Sequence, residues 1–192
     1  MDKLRILVAD DEAIIRLGLR GMLAQLGHEV VLAADGREAL NSARTTQPDL
    51  ALLDIRMPQM DGLEVVRALN QQQPMPIILL TAYSEQDLIT EATGLGVQNY
   101  LIKPVDERDL IAAIPIAVAR FREGQAAQDK IEALQETIET RKLIDRAKGV
   151  LMQAGATEDQ AYHTLQKRAR DERLSMRQIA EDVLRRAGRL KP

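Results

Sequence analysis

The chain has 192 residues, of which 45% are hydrophobic and 29% charged, and its formal net charge is −3. No apolar stretch approaches the roughly 18 residues of a membrane span. Met1-Asp-Lys-Leu-Arg runs straight into an apolar segment without a secretory h-region, and no cysteine is present for disulfides or thiolate metal sites. A cytoplasmic protein with no membrane contact is expected.

The first 120 residues alternate short apolar runs with amphipathic stretches. Strands covered on both faces are predicted at Arg5–Ala9, Val30–Ala34, Leu50–Leu53, Pro76–Leu80 and Tyr100–Ile102. Helices are predicted near 13–26, 36–46, 63–72, 84–95 and 106–121. Asp35-Gly-Arg-Glu38 and Ser84-Glu-Gln-Asp87 have capping-box spacing, and Gly27 and Gly96 suit C-terminal caps. Five strand–helix units in succession predict an α/β fold, a five-stranded doubly wound parallel sheet with right-handed crossovers.

Beyond Phe121 the strand signals stop. Residues 118–152 read as a long linker helix with an interruption near Gly124. Ile131, Leu134 and Ile138 form a short a/d seam, but Arg141 and Asp145 follow in that register, so a homodimer through this helix stays open. Thr157-Glu-Asp-Gln160 and Ser175-Met-Arg-Gln178 start two further helices. The tail is therefore a three-helix all-α module in which Ile144, Val150, Leu151, Ala161, Leu165, Ile179, Ala180 and Val183 pack together. Charge divides in the same way. Residues 1–120 carry 11 Lys/Arg against 17 Asp/Glu, and residues 141–192 carry 13 against 7. An acidic domain over 1–121 and a basic one over 122–192 are expected.

Polar groups close the apolar runs of the first domain: Asp10–Asp11, Asp54, Thr81 and Lys103-Pro104. In a parallel sheet these positions meet at the carboxyl edge, where ligands bind. Three carboxylates brought together repel one another, and a divalent cation with oxygen ligands relieves the repulsion. That points to a magnesium-dependent phosphoryl-acceptor site with Asp54 as acceptor. No glycine-rich ATP loop is present, since Gly94-Leu-Gly96 reads as a helix end and turn. The phosphoryl group must therefore come from another protein or a small phosphodonor, and a signalling role rather than an enzyme is expected. His28 and His163 read as surface or cap residues.

This constellation, together with Asp54-Ile-Arg-Met-Pro-Gln-Met-Asp-Gly62, resembles the flavodoxin-like receiver domain of two-component response regulators over residues 3–121. The resemblance implies a sensor histidine kinase as phosphodonor and Mg2+ as cofactor. It implies Asp54 as the phosphorylated residue and a metal site formed by Asp10, Asp11, Asp54 and the backbone carbonyl of Arg56. Lys103, ahead of a cis bond to Pro104, would supply positive charge to the phosphoryl group. Thr81 and Tyr100 would be the switch pair, altering the face built by the helices predicted at 84–95 and 106–121 and the strand between them.

In the tail, Arg141-Lys-Leu-Ile-Asp-Arg-Ala-Lys-Gly-Val-Leu-Met152, with Ala161-Tyr162 and Lys167-Arg168-Ala169, resembles the ANTAR domain over about residues 130–187. The resemblance implies binding of hairpin RNA in nascent transcripts and transcription antitermination. Tyr162 is the only aromatic residue of the tail, so a multi-base stacking platform is ruled out. Candidate RNA contacts are Arg141, Arg146, Lys148, Gly149, Tyr162, Lys167, Arg168 and Arg170. Gly149 costs about 1 kcal/mol relative to alanine in a helix, and close approach of RNA or of another helix would explain it. Two other readings are a DNA-binding regulator, in which Ser175-Met-Arg-Gln-Ile-Ala180 starts a helix-turn-helix recognition helix, and a regulator whose tail binds only protein.

Overall fold

A computed structural model describes residues 3–82 and 94–189. In chain order the elements are β1 (Arg5–Ala9), α1 (Ala13–Gln25), β2 (Glu29–Ala33), α2 (Gly36–Thr46), β3 (Leu50–Asp54), α3 (Gly62–Gln72), β4 (Ile77–Thr81), β5 (Asn99–Ile102), α4 (Glu107–Gln153), α5 (Glu158–Glu172) and α6 (Met176–Arg186). The helix predicted at 84–95 and its Ser84 cap fall mostly outside the described residues. The chain divides into two compact units, 1–125 and 126–192.

The first unit is a five-stranded parallel sheet in the order β2-β1-β3-β4-β5. Strands β3 and β4 are buried at every position and β1 at all but its first, whereas the edge strands β2 and β5 are only partly covered. Alternate side chains of each central strand enter opposite cores, as a period of two requires. Leu7, Leu53 and Leu79 pack with Ala39, Leu63, Val66 and Leu69 of α2 and α3. Ile6, Val8, Leu52 and Leu80 pack with Leu19 and Leu23 of α1 and Leu110 and Ile114 of α4. Each central strand is thus covered on both faces, which is why it reads as a continuous apolar run.

Helix starts follow short polar signals. Asp61 and Glu64 form a reciprocal capping box on α3, a signal not singled out in the sequence. Asp35 accepts from the Glu38 N–H, but the Glu38 carboxylate accepts from the Ala34 N–H, so only half of the expected box forms. The expected interruption near Gly124 does not occur either. Helix α4 continues through both Pro115 and Gly124.

The second unit contains the last part of α4 with α5 and α6. The boxes at Thr157/Gln160 and Ser175/Gln178 both form. Its core is Ala147, Leu165, Ile179, Ala180, Val183 and Leu184, with Ile144, Val150 and Leu151 partly buried against it. Ile131, Leu134 and Ile138 stand about half exposed. No helix among the described residues is long and apolar enough to cross a membrane.

Candidate functional site

Strands β1 and β3 are neighbours in register Ala9↔Leu53, so Asp10 and Asp54 emerge side by side at one sheet edge. Asp10 is 0% exposed and Asp54 5%, while Asp11 is open to solvent. Ligand oxygens of all three lie within 4.8 Å of one another. Asp10 is tightly held: Oδ1 accepts the Glu12 N–H at 2.8 Å, and Arg16 Nη1 donates to its carbonyl oxygen at 2.6 Å. Its Oδ2 is buried without a well-aligned hydrogen bond, yet Lys103 Nζ stands 2.7 Å away as its ion-pair partner.

The same ammonium is 2.9 Å from Asp54 Oδ1. Burial pushes the Asp54 carboxyl up to about 6. The hydrogen bond and charge of Lys103 oppose that rise, and repulsion from Asp10 and Asp11 adds to it. For Lys103, burial favours the neutral amine, but its bonds to Asp10 and Asp54 outweigh this and raise its pKa. One ammonium among three carboxylates leaves the cluster formally at −2. Three clustered carboxylates, one of them solvent-open, suit a hard divalent cation with oxygen ligands better than a soft metal.

Thr81 ends β4 and is fully buried, its Oγ1 donating to the Ala82 carbonyl at 3.1 Å. The Lys103 N–H donates to the Thr81 carbonyl at 2.8 Å, tying the two ends together. The Lys103–Pro104 peptide is cis. Tyr100, three residues upstream, is exposed on β5. Arg56 follows β3 with an exposed side chain, in the loop that leads to α3. Gly62 starts α3 so close to β3 that a Cβ there would overlap the Asp54 carbonyl oxygen. Beside the cluster an apolar groove is lined by Ile15, Leu19, Met22, Lys103, Pro104 and Val105.

Of the two places expected for His28, surface or cap, the structure gives the second: its N–H donates to the Leu23 carbonyl at 3.0 Å in the C-terminal cap of α1, with the side chain buried. It is 6% exposed, its Nδ1 accepts the Leu4 N–H at 3.3 Å, and its Nε2 has no partner among the described residues. The positive φ of Gly27 (87°) turns the chain at the end of α1, and the ring meets the backbone of Leu4, just ahead of β1.

In the second unit the structure separates the expected RNA contacts into two groups. Lys148 Nζ pairs with Glu158 at 2.8 Å and Asp145 at 3.0 Å, joining α4 to α5. Arg168 binds Glu172 through Nε at 2.8 Å and Asp182 through Nη2 at 2.7 Å, joining α5 to α6. Arg146 Nη2 donates to the Arg189 carbonyl at 3.0 Å. Arg141, Lys167 and Arg170 are exposed, and their side chains make no ion pair or hydrogen bond among the described residues. Tyr162 is exposed, and nothing lies within 4 Å of a Cβ built on Gly149, so helix packing does not explain that glycine.

A doubly wound sheet that gathers carboxylates, a buried threonine and a lysine around one aspartate at its carboxyl edge defines a receiver of phosphoryl groups. Residues 6–115 match the family model of the response regulator receiver domain and residues 132–184 that of the ANTAR domain. The chain belongs to the response regulators with an ANTAR output domain, which are phosphorylation-controlled, RNA-binding antitermination regulators. It is 43% identical over 186 residues to the transcriptional regulatory protein PdtaR of Mycobacterium tuberculosis, covering 96% of this chain and 91% of that protein. It is 40% identical over 117 residues to the alkaline phosphatase synthesis transcriptional regulatory protein PhoP of Bacillus subtilis, covering 60% of this chain and 49% of that protein. Among solved structures, the chemotaxis protein CheY4 of Vibrio cholerae aligns with a TM-score of 0.56 at 32% identity, covering 59% of this chain and 98% of that one.

Proposed function

We propose that Asp54 accepts a phosphoryl group from a sensor histidine kinase and that this controls binding of hairpin RNA by the second unit. The convergence of Lys103 on both Asp10 and Asp54 carries the reading. An Asp54 oxygen attacks phosphorus in line as the P–N bond to the donor imidazole breaks, and the imidazole leaves with a proton taken from solvent. Asp10, Asp11, Asp54 and the Arg56 carbonyl would hold Mg2+, which would neutralise charge on the phosphoryl oxygens. Lys103 exchanges its carboxylate contact for a phosphoryl oxygen, as a mobile ammonium point charge suits. Thr81 donates its hydroxyl to another, and Tyr100 turns inward as Thr81 moves.

The exposed Ile14 and Leu17 and the groove beside Lys103 give the phosphodonor protein an apolar place to dock. The chain acts as a cytoplasmic phosphoacceptor with no further enzymatic activity. The half-exposed seam of Ile131, Leu134 and Ile138 supports dimerisation on phosphorylation. Binding of the full chain to stem–loop RNA, and to duplex DNA of equal length, across a salt series tests the output. Steeply salt-dependent RNA binding with little DNA binding is expected. Sequence-selective DNA binding would restore the helix-turn-helix reading.

A further inference from the structure

On α5 the committed cation, Arg168, lies on a different side of the helix from the uncommitted Lys167 and Arg170. At about 100° per residue, Tyr162, Gln166 and Arg170 fall within one stripe about 80° wide. Lys167 flanks the stripe and Arg173 closes it in the left-handed conformation, φ 55°. Ala161 and Leu165 are buried in the core, and Arg168 is bound to two acids. The side chains of Lys167, Arg170 and Arg173 are exposed, with no ion pair or hydrogen bond among the described residues. Tyr162 is 42% exposed and its hydroxyl has no partner among them.

A second observation lies on α4. Gly149 has open space where its Cβ would be, and Met152, one turn further on, is 45% exposed. The Lys148–Glu158 pair ties this stretch to the first turn of α5, four residues before Tyr162. Bare backbone, an exposed thioether and the aromatic stripe therefore extend from one junction between the two helices.

We propose that this junction and stripe form the RNA-reading face. One unstacked loop base lies on Tyr162, Gln166 hydrogen-bonds a base edge, and Lys167, Arg170 and Arg173 take successive phosphates. Lys148 and Arg168 act in folding instead. The assignment rests on the RNA-binding reading above and sorts the residues within it. Three phosphate contacts to single-stranded RNA correspond to a slope of about −2 in log K against log[salt]. A stacked base is worth roughly 5- to 150-fold in affinity and is insensitive to salt.

The probe is obtained by selecting from a pool of stem–loop RNAs with a randomised loop, using the full-length chain. If the wild type enriches no stem–loop, the RNA reading falls and this assignment with it. With an enriched RNA in hand, Tyr162→Ala should weaken binding at least fivefold with an unchanged salt slope, and Tyr162→Phe should retain it. Arg170→Ala and Arg173→Ala should each flatten the slope by about 0.7 with helical content intact. Arg168→Gln should lower the melting temperature yet keep affinity within about twofold at a temperature where it is folded. Asp182→Asn, which leaves Arg168 in place but breaks the same tie, should do likewise. Loss of binding in folded Arg168→Gln, with Arg170→Ala and Tyr162→Ala unaffected, would overturn the assignment while leaving RNA binding in place.

Discussion

Lys103 Nζ lies 2.7 Å from Asp10 and 2.9 Å from Asp54, so a single ammonium bridges the carboxylates of two adjacent strands. It compensates one of three clustered charges, and burial leaves Asp54 with a pKa near 6. The site therefore stores repulsion that a divalent cation relieves.

Mg2+ should raise the melting temperature of the wild type in a concentration-dependent way, because binding to the folded state alone stabilises by mass action. Asp11→Ala removes the solvent-open carboxylate and should lose most of that gain. An equal Mg2+-induced shift in that variant would remove Asp11 from the metal site.

With chelator present, Asp54→Asn should be more stable than the wild type near pH 8. A carboxyl whose pKa is raised on folding contributes its full stability below the unfolded value of 3.8 and loses it as pH rises through about 6. Allowing for solvent screening at the open side of the cluster, the advantage is about 1–2 kcal/mol. It should shrink toward pH 5, and thermal melts of the two proteins across this range measure it.

His28 should act in the other direction. Burial lowers its pKa below 6.5. A histidine held neutral contributes stability above its unfolded pKa, and that stability is lost as pH falls below about 6.5. The wild type should lose melting temperature relative to His28→Gln as pH falls from 7 to 5. Parallel curves would mean the ring charges freely in the fold.

Gly62→Ala should destabilise the first unit by about 1–3 kcal/mol, the usual cost of forcing atoms into packed structure. The added methyl would meet the Asp54 carbonyl, so it should also slow phosphorylation. A substitution at Gly124, where a Cβ meets nothing within 4 Å, is the control.

The order of strands and helices and the acidic edge were legible because apolar runs and the polar residues closing them are local signals. The course of α4 was less so. Pro115 removes one helical hydrogen bond, but Ala113, Ile114 and Ala117 beside it are buried and hold the helix. Gly124 costs about 1 kcal/mol, too little to break a helix anchored at both ends. Nor does sequence separate a committed cation from a free one. Lys148 and Arg168 find their interhelical partners 10 and 14 residues away, at Glu158 and Asp182, while Arg170 finds none among the described residues. The burial of His28 was missed because it depends on the turn at Gly27 and the backbone of Leu4, not on its neighbours' hydrophobicity.

Affinity of the full chain for a selected stem–loop RNA, before and after treatment with Mg2+ and a small acyl phosphate and with intact mass read on the same samples, tests the central claim most directly. The wild type should gain one phosphoryl group and change its RNA affinity at least tenfold, and Asp54→Asn should do neither. Equal labelling of Asp54→Asn, or a labelled wild type whose RNA affinity does not move, would contradict it.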